Sequence, residues 1–525
     1  MFNSKPQNLL EIFNTLNSNA SPWNPSSPLE QVQETSLSTS STVESLASRN
    51  LPISPQTTTI GSTSFEEIDL FSNRLVNDGL LIRNADDNTF TVNTRILTGS
   101  LRADRFGFTD INNLDNQQTI VSGNGNVDFG LGSRDVINLS TISMSAATIN
   151  LASNTSGVVF NPGNGSRVFD SISFGNGQEI LFEGIDQIQF ADGVINLSVL
   201  PNDPLFNAQW NLHMMGVHNA WRFTTGSANV AIGIEDTGLT MNLNGLSHPE
   251  IGPTFNLGNQ VMDDGTTNHG TSVQGIIAAR SNNGIGMTGI NWNSTVLNID
   301  TLQQNPGDLS IAEGAQIMIN QARSAGQRLV INMSLGVPNS FGVNYDRDLE
   351  QVVQNNPDVL FVIAAGNFGD RGLSGLSSPG VLAQFYSNVI AVGAVWGTQD
   401  YFGQVTTPGD RINYPGWWGS QYGDGLTVVG PSEVIAPIAT FGGGQVEFGY
   451  TTKFNGTSAA TPNVAGVASL VLSANPNLSA TQVRDIIAQT AVDVGARGYD
   501  AFTGSGVVNA DAAVRRAIAI GLGNA

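Results

Sequence analysis

The chain has 525 residues, no cysteine and a formal net charge of -22, with only 12% of residues charged. That length calls for two or three domains, and a strongly acidic chain excludes a nucleic-acid binder, which needs clustered Lys and Arg to neutralise phosphate. No run reaches the roughly eighteen apolar residues of a membrane span, and the opening MFNSKPQNLLEIFNTLNSN lacks the basic start and apolar run of a secretory signal peptide.

Residues 1–62 read as a poorly ordered segment: LLEIFNTL is a short helix candidate, and the Ser/Thr/Pro-rich SPWNPSSPLEQVQETSLSTSSTV behind it reads as a linker. Over 63–200 the composition shifts to short β-type runs separated by Asn, Asp and Gly turns, such as ATINLAS, RVFDSISFG, EILFEG and IDQIQFADG. Such a pattern predicts a β-rich domain, either a solenoid or a sandwich. Within it, GNGNVDFGLGSRDVINL carries Asp128 and Asp135 among repeated glycines and resembles degenerate RTX (haemolysin-type) repeats. The resemblance implies calcium between parallel strands, with Asp128 and Asp135 as candidate ligands, and carboxylate oxygens suit that hard cation. The alternative is a plain β-domain with Asn/Gly turns.

A third composition covers 201–525. Near-continuous apolar runs (ANVAIGI, STVLNIDTL, RLVINMSLG, VLFVIAAGN, NVIAVGAV) alternate with helix-like stretches. Such alternation predicts an α/β domain whose parallel sheet is covered on both faces. Three residue types that can act together fall at predicted element ends. Asp236, in VAIGIEDTG, ends a central strand, where ligands of open α/β sheets gather. His269, in TNHGTSVQGIIAA, and Ser458, in FNGTSAATPNVAGVASLVL, each stand at the start of a small-residue helix, the latter with Pro462 in its first turn. A serine hydroxyl needs an imidazole to take its proton, and the imidazole needs a carboxylate to orient it. A tetrahedral intermediate also needs a donor for its oxyanion. Asn367, in FVIAAGNFGD, is the side-chain candidate, and Ser334, Leu335 and Gly336, in INMSLG, form a strand end suited to pairing with an extended peptide. Taken singly, each has a bland reading: turn former, helix-start histidine, N-cap, loop asparagine.

Together, in the order Asp, His, Asn, Ser, these motifs resemble the subtilisin-like serine proteases (subtilases), a likeness that covers the chain from about Asn229 to Gly523. The resemblance implies an α/β subtilisin-like parallel sheet with helices on both faces, preceded by the separate β-rich domain. It implies a serine endopeptidase with Asp236, His269 and Ser458 as triad, Asn367 at the oxyanion, and substrate held along Ser334–Gly336. Ser272, Gln274 and Ala459 depart from the commonest bacterial pattern, while NGTSAATP together with ARSNNGIGMTGINWNSTV is similar to the kexin-like branch and to calcium-dependent cyanobacterial proteases. A structural Ca2+ ion, protein or peptide substrates, a monomer, and a secreted or cell-envelope setting reached without a signal peptide follow as expectations, with a cytoplasmic setting as the alternative. His248 is expected to be structural. Trp417 and Trp418 are either a substrate wall or packing, and Asp346, Asp348 and Asp370 are the acids available for a basic P1 side chain. The runner-up is a calcium-binding surface or adhesion protein with an inactive subtilase-like domain.

Overall fold

The computed structural model describes residues 66–68, 94–108, 118–242, 244–257, 268–302, 309–442 and 445–523. The expected N-terminal segment at 1–62 lies outside them. Residues 66–525 cluster as one compact unit.

The β-rich region supplies β1 (Glu66–Ile68), β2 (Thr94–Thr98), β3 (Asp104–Gly107), β4 (Gln118–Ser122), β5 (Val136–Leu139), β6 (Ala147–Asn150), β7 (Val158–Phe160), β8 (Arg167–Phe174), β9 (Glu179–Glu183), β10 (Gln187–Phe190) and β11 (Val194–Asn196). The chain passes back and forth between two sheets, ordered β1-β3-β5-β10-β11 and β2-β4-β9-β8-β6. Ile96, Ile120 and Leu181 align across parallel β2, β4 and β9. Phe106, Ile137 and Ile188 do the same across β3, β5 and β10. Each coil thus gives one strand to each sheet, the solenoid arrangement; Phe106, Ile137 and Ile188 stack into a core with Val121, Ile180 and Phe182, while Ile120 and Leu181 pack in a second cluster with Phe169. Antiparallel β6, β7 and β8 interrupt the coils.

The remainder begins with short α1 (Trp210–Met214) and α2 (Val217–Ala220), then β12 (Val230–Asp236), β13 (Phe255–Leu257), α3 (His269–Ala278), β14 (Thr295–Asp300), α4 (Ile311–Ser324), β15 (Arg328–Met333), α5 (Arg347–Asn355), β16 (Leu360–Ala364) and β17 (Val389–Val395). After them come β18 (Asn413–Tyr414), β19 (Trp418–Gly419), β20 (Leu426–Pro431), a hairpin of β21 (Val434–Gly442) and β22 (Gln445–Phe454), α6 (Thr457–Ala474), α7 (Ala480–Thr490) and α8 (Ala510–Gly521). Seven strands form one parallel sheet ordered β13-β14-β12-β15-β16-β17-β20. Strands β12, β16, β17 and β20 are buried along their whole length, which is why they read as unbroken apolar runs. Ile232 and Ile234 of β12 join the core built with α3 and α6. Their neighbours face the other way: a Cβ on Gly233 would sit 2.5 Å from Met318 Sδ of α4. Helices therefore cover both faces, as expected. The strand order reverses at β12 and β15, so the crevice beyond their carboxyl ends is where this topology places a ligand.

The two regions meet at α8. Arg515 of α8 is buried and donates to Asp170 Oδ2 of β8 (2.8 Å), Asp511 Oδ2 (2.7 Å) and the Val168 carbonyl (3.0 Å). Arg222 clasps the same Asp170 with two bonds of 2.9 Å, and the Ala152 amide adds a third donor at 2.7 Å. Burial alone would raise the Asp170 carboxyl, but the Arg515 and Arg222 guanidiniums hold it below its usual range.

Candidate active site

Asp236 closes β12 and is fully buried, and its Oδ1 accepts from the Thr237 amide (2.8 Å) and from His269 Nδ1 (2.7 Å). A carboxylate only accepts, so Nδ1 carries the proton and Nε2 presents its lone pair. His269 is the first residue of α3, and two features set it there. Asn268 takes a left-handed conformation (φ 52°) and locks onto β21, its Oδ1 accepting from the Ala439 amide (2.9 Å) and its Nδ2 donating to the Ala439 carbonyl (2.6 Å). Gly270 lets the helix start press on the turn after Asp236: a Cβ there would lie 2.2 Å from the Gly238 carbonyl oxygen. The Phe454 ring, at the end of β22, stands 5.4 Å from the His269 ring.

Ser458 is the second residue of α6, after Gly456 (φ 83°) as N-cap without a side-chain cap bond. Its Oγ donates to the Ser334 carbonyl (3.0 Å), and Ser334 Oγ donates back to the Ser458 carbonyl (2.9 Å). Pro462 explains the second bond. It lies in the second turn of α6, not the first, since Thr457 already opens the helix. Proline has no N–H, so the carbonyl four residues back, that of Ser458, loses its helical donor, and the Ser334 hydroxyl takes that place. Asn367 follows β16 and is clamped through Oδ1, which accepts from Thr457 N (2.8 Å) and Thr457 Oγ1 (2.9 Å). Its Nδ2 thereby faces Gly456, 3.2 Å from where a Cβ would stand.

The ladders of β15 with β12 and β16 stop at Met333, so Ser334, Leu335 and Gly336 run on beyond the sheet. Asp236 with His269, Ser458 with Ser334, and Asn367 with Thr457 thus gather along the carboxyl edge, held by α3 packed on α6. Thr457 and Asn268 escaped the sequence reading as positioning residues, although Thr457 stands inside the Gly-Thr-Ser motif and Asn268 directly before His269.

Other candidates fall elsewhere. Asp128 pairs with the Arg102 guanidinium (3.2 Å). Asp135 is buried, accepts from the Asp104 amide (2.8 Å), and burial pushes its carboxyl well up. No group of three or more acidic or histidine side chains among the described residues suits a metal. Asp128 thus opposes a guanidinium and Asp135 takes a backbone amide, a donor set that does not fit the roughly six to eight oxygens calcium gathers. His248 is buried and bonds the Gly449 carbonyl (2.9 Å). Trp418 is buried, while Trp417 is partly buried among Tyr401, Phe402 and Tyr414. On the opposite side of β12 from Asp236, Glu235 is fully buried beneath α4, and burial raises its carboxyl well above the usual range.

Comparison with known proteins bears on this geometry. The family model of the subtilases, peptidase S8, matches residues 227–506. Subtilisin BL from Lederbergia lenta is 34% identical over 306 residues, 57% of this chain and 94% of that protein. The alkaline protease of Alkalihalobacillus alcalophilus is also 34% identical over 306 residues, covering 67% of its length. The cell wall-associated protease of Bacillus subtilis strain 168 is 30% identical over 334 residues, 60% of this chain and 33% of that one. Among solved structures, a protease from Pseudoalteromonas arctica PAMC 21717 aligns with a TM-score of 0.47 at 25% identity, over 60% of this chain and 99% of that chain. No helix among the described residues is long and apolar enough to cross a membrane.

Proposed function

The chain belongs to the subtilase family and is a serine endopeptidase, and from that premise we propose that Asp236, His269 and Ser458 are its catalytic triad, with Asn367 as the oxyanion donor. The observation that carries the assignment is the 2.7 Å bond between His269 Nδ1 and buried Asp236, because it sets the tautomer a general base requires. In the cycle, Ser458 Oγ turns from the Ser334 carbonyl to His269 Nε2, loses its proton there and attacks the scissile carbonyl carbon. The former carbonyl oxygen takes the negative charge between Asn367 Nδ2 and the Ser458 amide. His269 returns the proton to the leaving amine, and the acyl-enzyme is then cut by water that His269 deprotonates. The substrate backbone pairs with Ser334–Gly336 as an added strand. Ser458→Ala is expected to fold and to lose at least about 10³-fold in peptide hydrolysis, since removing a triad member leaves only binding and the oxyanion hole. Hydrolysis at the wild-type rate by that variant sinks the assignment.

The division near residue 200 separates a retained module from the peptidase. Its support is the Asp170–Arg515 lock, which buries charge across the boundary. An active chain that keeps residues 66–200 after incubation supports this, whereas their loss in the wild type but not in Ser458→Ala makes them a removable pro-segment. The kexin-like and cyanobacterial affinities rest on NGTSAATP, with Ala459, and on ARSNNGIGMTGINWNSTV, and the RTX likeness on the glycines and acids around Asp128. A structural calcium ion is carried by family membership alone, and a melting temperature unmoved by chelator removes it. Export to the cell envelope or medium is in keeping with relatives named as cell wall-associated and extracellular proteases. The chain acts as a monomer on protein or peptide substrates in this reading, which a single sedimenting species of chain mass would support.

A further inference from the structure

The carbonyl to be attacked must lie between Ser458 and Asn367, so the side chain of the residue bearing it enters between the strand ends beside them, Ser334–Gly336 and Ala364–Gly366. Both ends offer glycine. A Cβ on Gly336 would lie 2.7 Å from Ser377 Oγ, and one on Gly366 would lie 2.6 Å from Ser377 Cβ and 2.0 Å from Gln421 Oε1. Ser377 and Gln421 therefore stand directly against the glycines of both strand ends.

Gln421 is fully buried. Its Nε2 donates to the carbonyls of Ser340 (2.9 Å) and Gly375 (2.8 Å). That pairing fixes the amide's orientation, because the reverse would set its oxygen against two carbonyl oxygens. Its Oε1 is an acceptor without a partner. Ser377 does not supply one, since its hydroxyl donates to the Val337 carbonyl (2.9 Å). A buried acceptor with no donor is costly, and a substrate group that donates to it recovers that cost only on binding.

We propose that Gln421 sets the preference at P1, the residue whose carbonyl is attacked, for an uncharged side chain that donates a hydrogen bond, an Asn or Gln carboxamide ahead of an aliphatic or aromatic group. The proposal rests on the triad and oxyanion assignment above. An acidic side chain brings only acceptors to Oε1. Arg371 lies 4.5 Å over the Phe368 ring and bonds Asn339, so the loops that follow the two strand ends carry a cation that repels a basic side chain. Asp346, one of the acids considered for a basic P1, is instead the cap of α5, accepting from the Leu349 amide (2.9 Å).

The test is a fluorogenic peptide series differing only at P1 (Asn, Gln, Leu, Met, Phe, Asp, Lys), cleaved by the full chain. The wild type is expected to favour Asn over its near-isostere Leu by about tenfold or more in kcat/KM. Gln421→Met, which keeps the length and removes the acceptor, is expected to reverse that order. A wild type that cleaves Leu, Met or Phe as well as Asn overturns the proposal, as does an Asn/Leu ratio unchanged in Gln421→Met. If that variant does not fold, the wild-type series decides alone. A fluorophosphonate probe read in the same samples separates the two layers: labelled enzyme with an aliphatic preference overturns this inference only, while no labelling and no cleavage of any peptide overturns the triad assignment and this inference with it.

Discussion

The carboxyl edge of the sheet and the junction between β8 and α8 are built from the same kinds of polar group, put to opposite ends. At the junction, Asp170 accepts on both oxygens from Arg222 and Arg515 and takes the Ala152 amide as well. At the edge, Asn367 and Gln421 are each tied on one side only. Asn367 is held by Oδ1 with Nδ2 turned toward Gly456, and Gln421 is held by Nε2 with Oε1 unpartnered. A carboxylate bonded on both oxygens, as Asp170 is, fixes a structure, whereas an amide bonded at one end leaves the other able to take a ligand.

That contrast can be broken from either side. The largest expected effect after loss of Ser458 is at the junction: Arg515→Ala leaves Asp511 and Asp170 short of a buried counter-charge and should cost about 3–5 kcal/mol. Urea unfolding measures it, with peptide cleavage per folded molecule unchanged, and a loss confined to cleavage would place the junction with the catalytic edge. At the edge the order inverts. Asn367→Ala is expected to lower kcat about 10²–10³-fold, the usual cost of one oxyanion donor, with KM little moved and the unfolding midpoint nearly preserved. An equal fall in kcat/KM through KM alone would assign Asn367 to substrate binding instead.

Ser334→Ala tests a group that belongs to both kinds. It strands the Ser458 carbonyl, at about 1 kcal/mol of stability, and should also lower kcat by loosening the start of α6. A stability change without any kinetic one would make the bond a mere cap. The smallest effect is at Glu235. Its folded carboxyl is raised by burial, so between its ordinary value and the raised one the native state binds a proton that the unfolded chain has released. Stability from this group is full below about pH 4.3 and is lost as pH climbs. Glu235→Gln should therefore raise the melting temperature more at pH 8 than at pH 5, and equal shifts at both would mean that the carboxyl is already charged in the fold.

Much of the edge was legible because its chemistry is local. Asp236, His269, Asn367 and Ser458 each sit at the end of an apolar run, where a strand or helix begins or stops, and that placement survives folding. The alternation of buried strands and helices was equally readable, since a sheet covered on both faces leaves no polar alternation. What failed to show was pairing across distance. Asp170 and Arg515 are 345 positions apart, and neither has a neighbour that announces the other. Asp128 reads as an ion ligand until Arg102 is folded against it. The solenoid shows only when Phe106, Ile137 and Ile188 stack. Pro462 misled by one turn, because the extent of a helix is set by the hydrogen bonds it makes and not by where a proline is tolerated.

The hydroxyl of Ser334 belongs to the residue that opens the strand end proposed to receive substrate, and it holds the carbonyl of the residue proposed to attack. Guest and nucleophile are thus moored to one post. On that assignment, a peptide pairing with Ser334–Gly336 would pull on the first turn of α6 through this bond, so that occupancy of the groove and alignment of Ser458 would be a single mechanical event. Poorly fitting peptides would then be discriminated by slow acylation even where they bind.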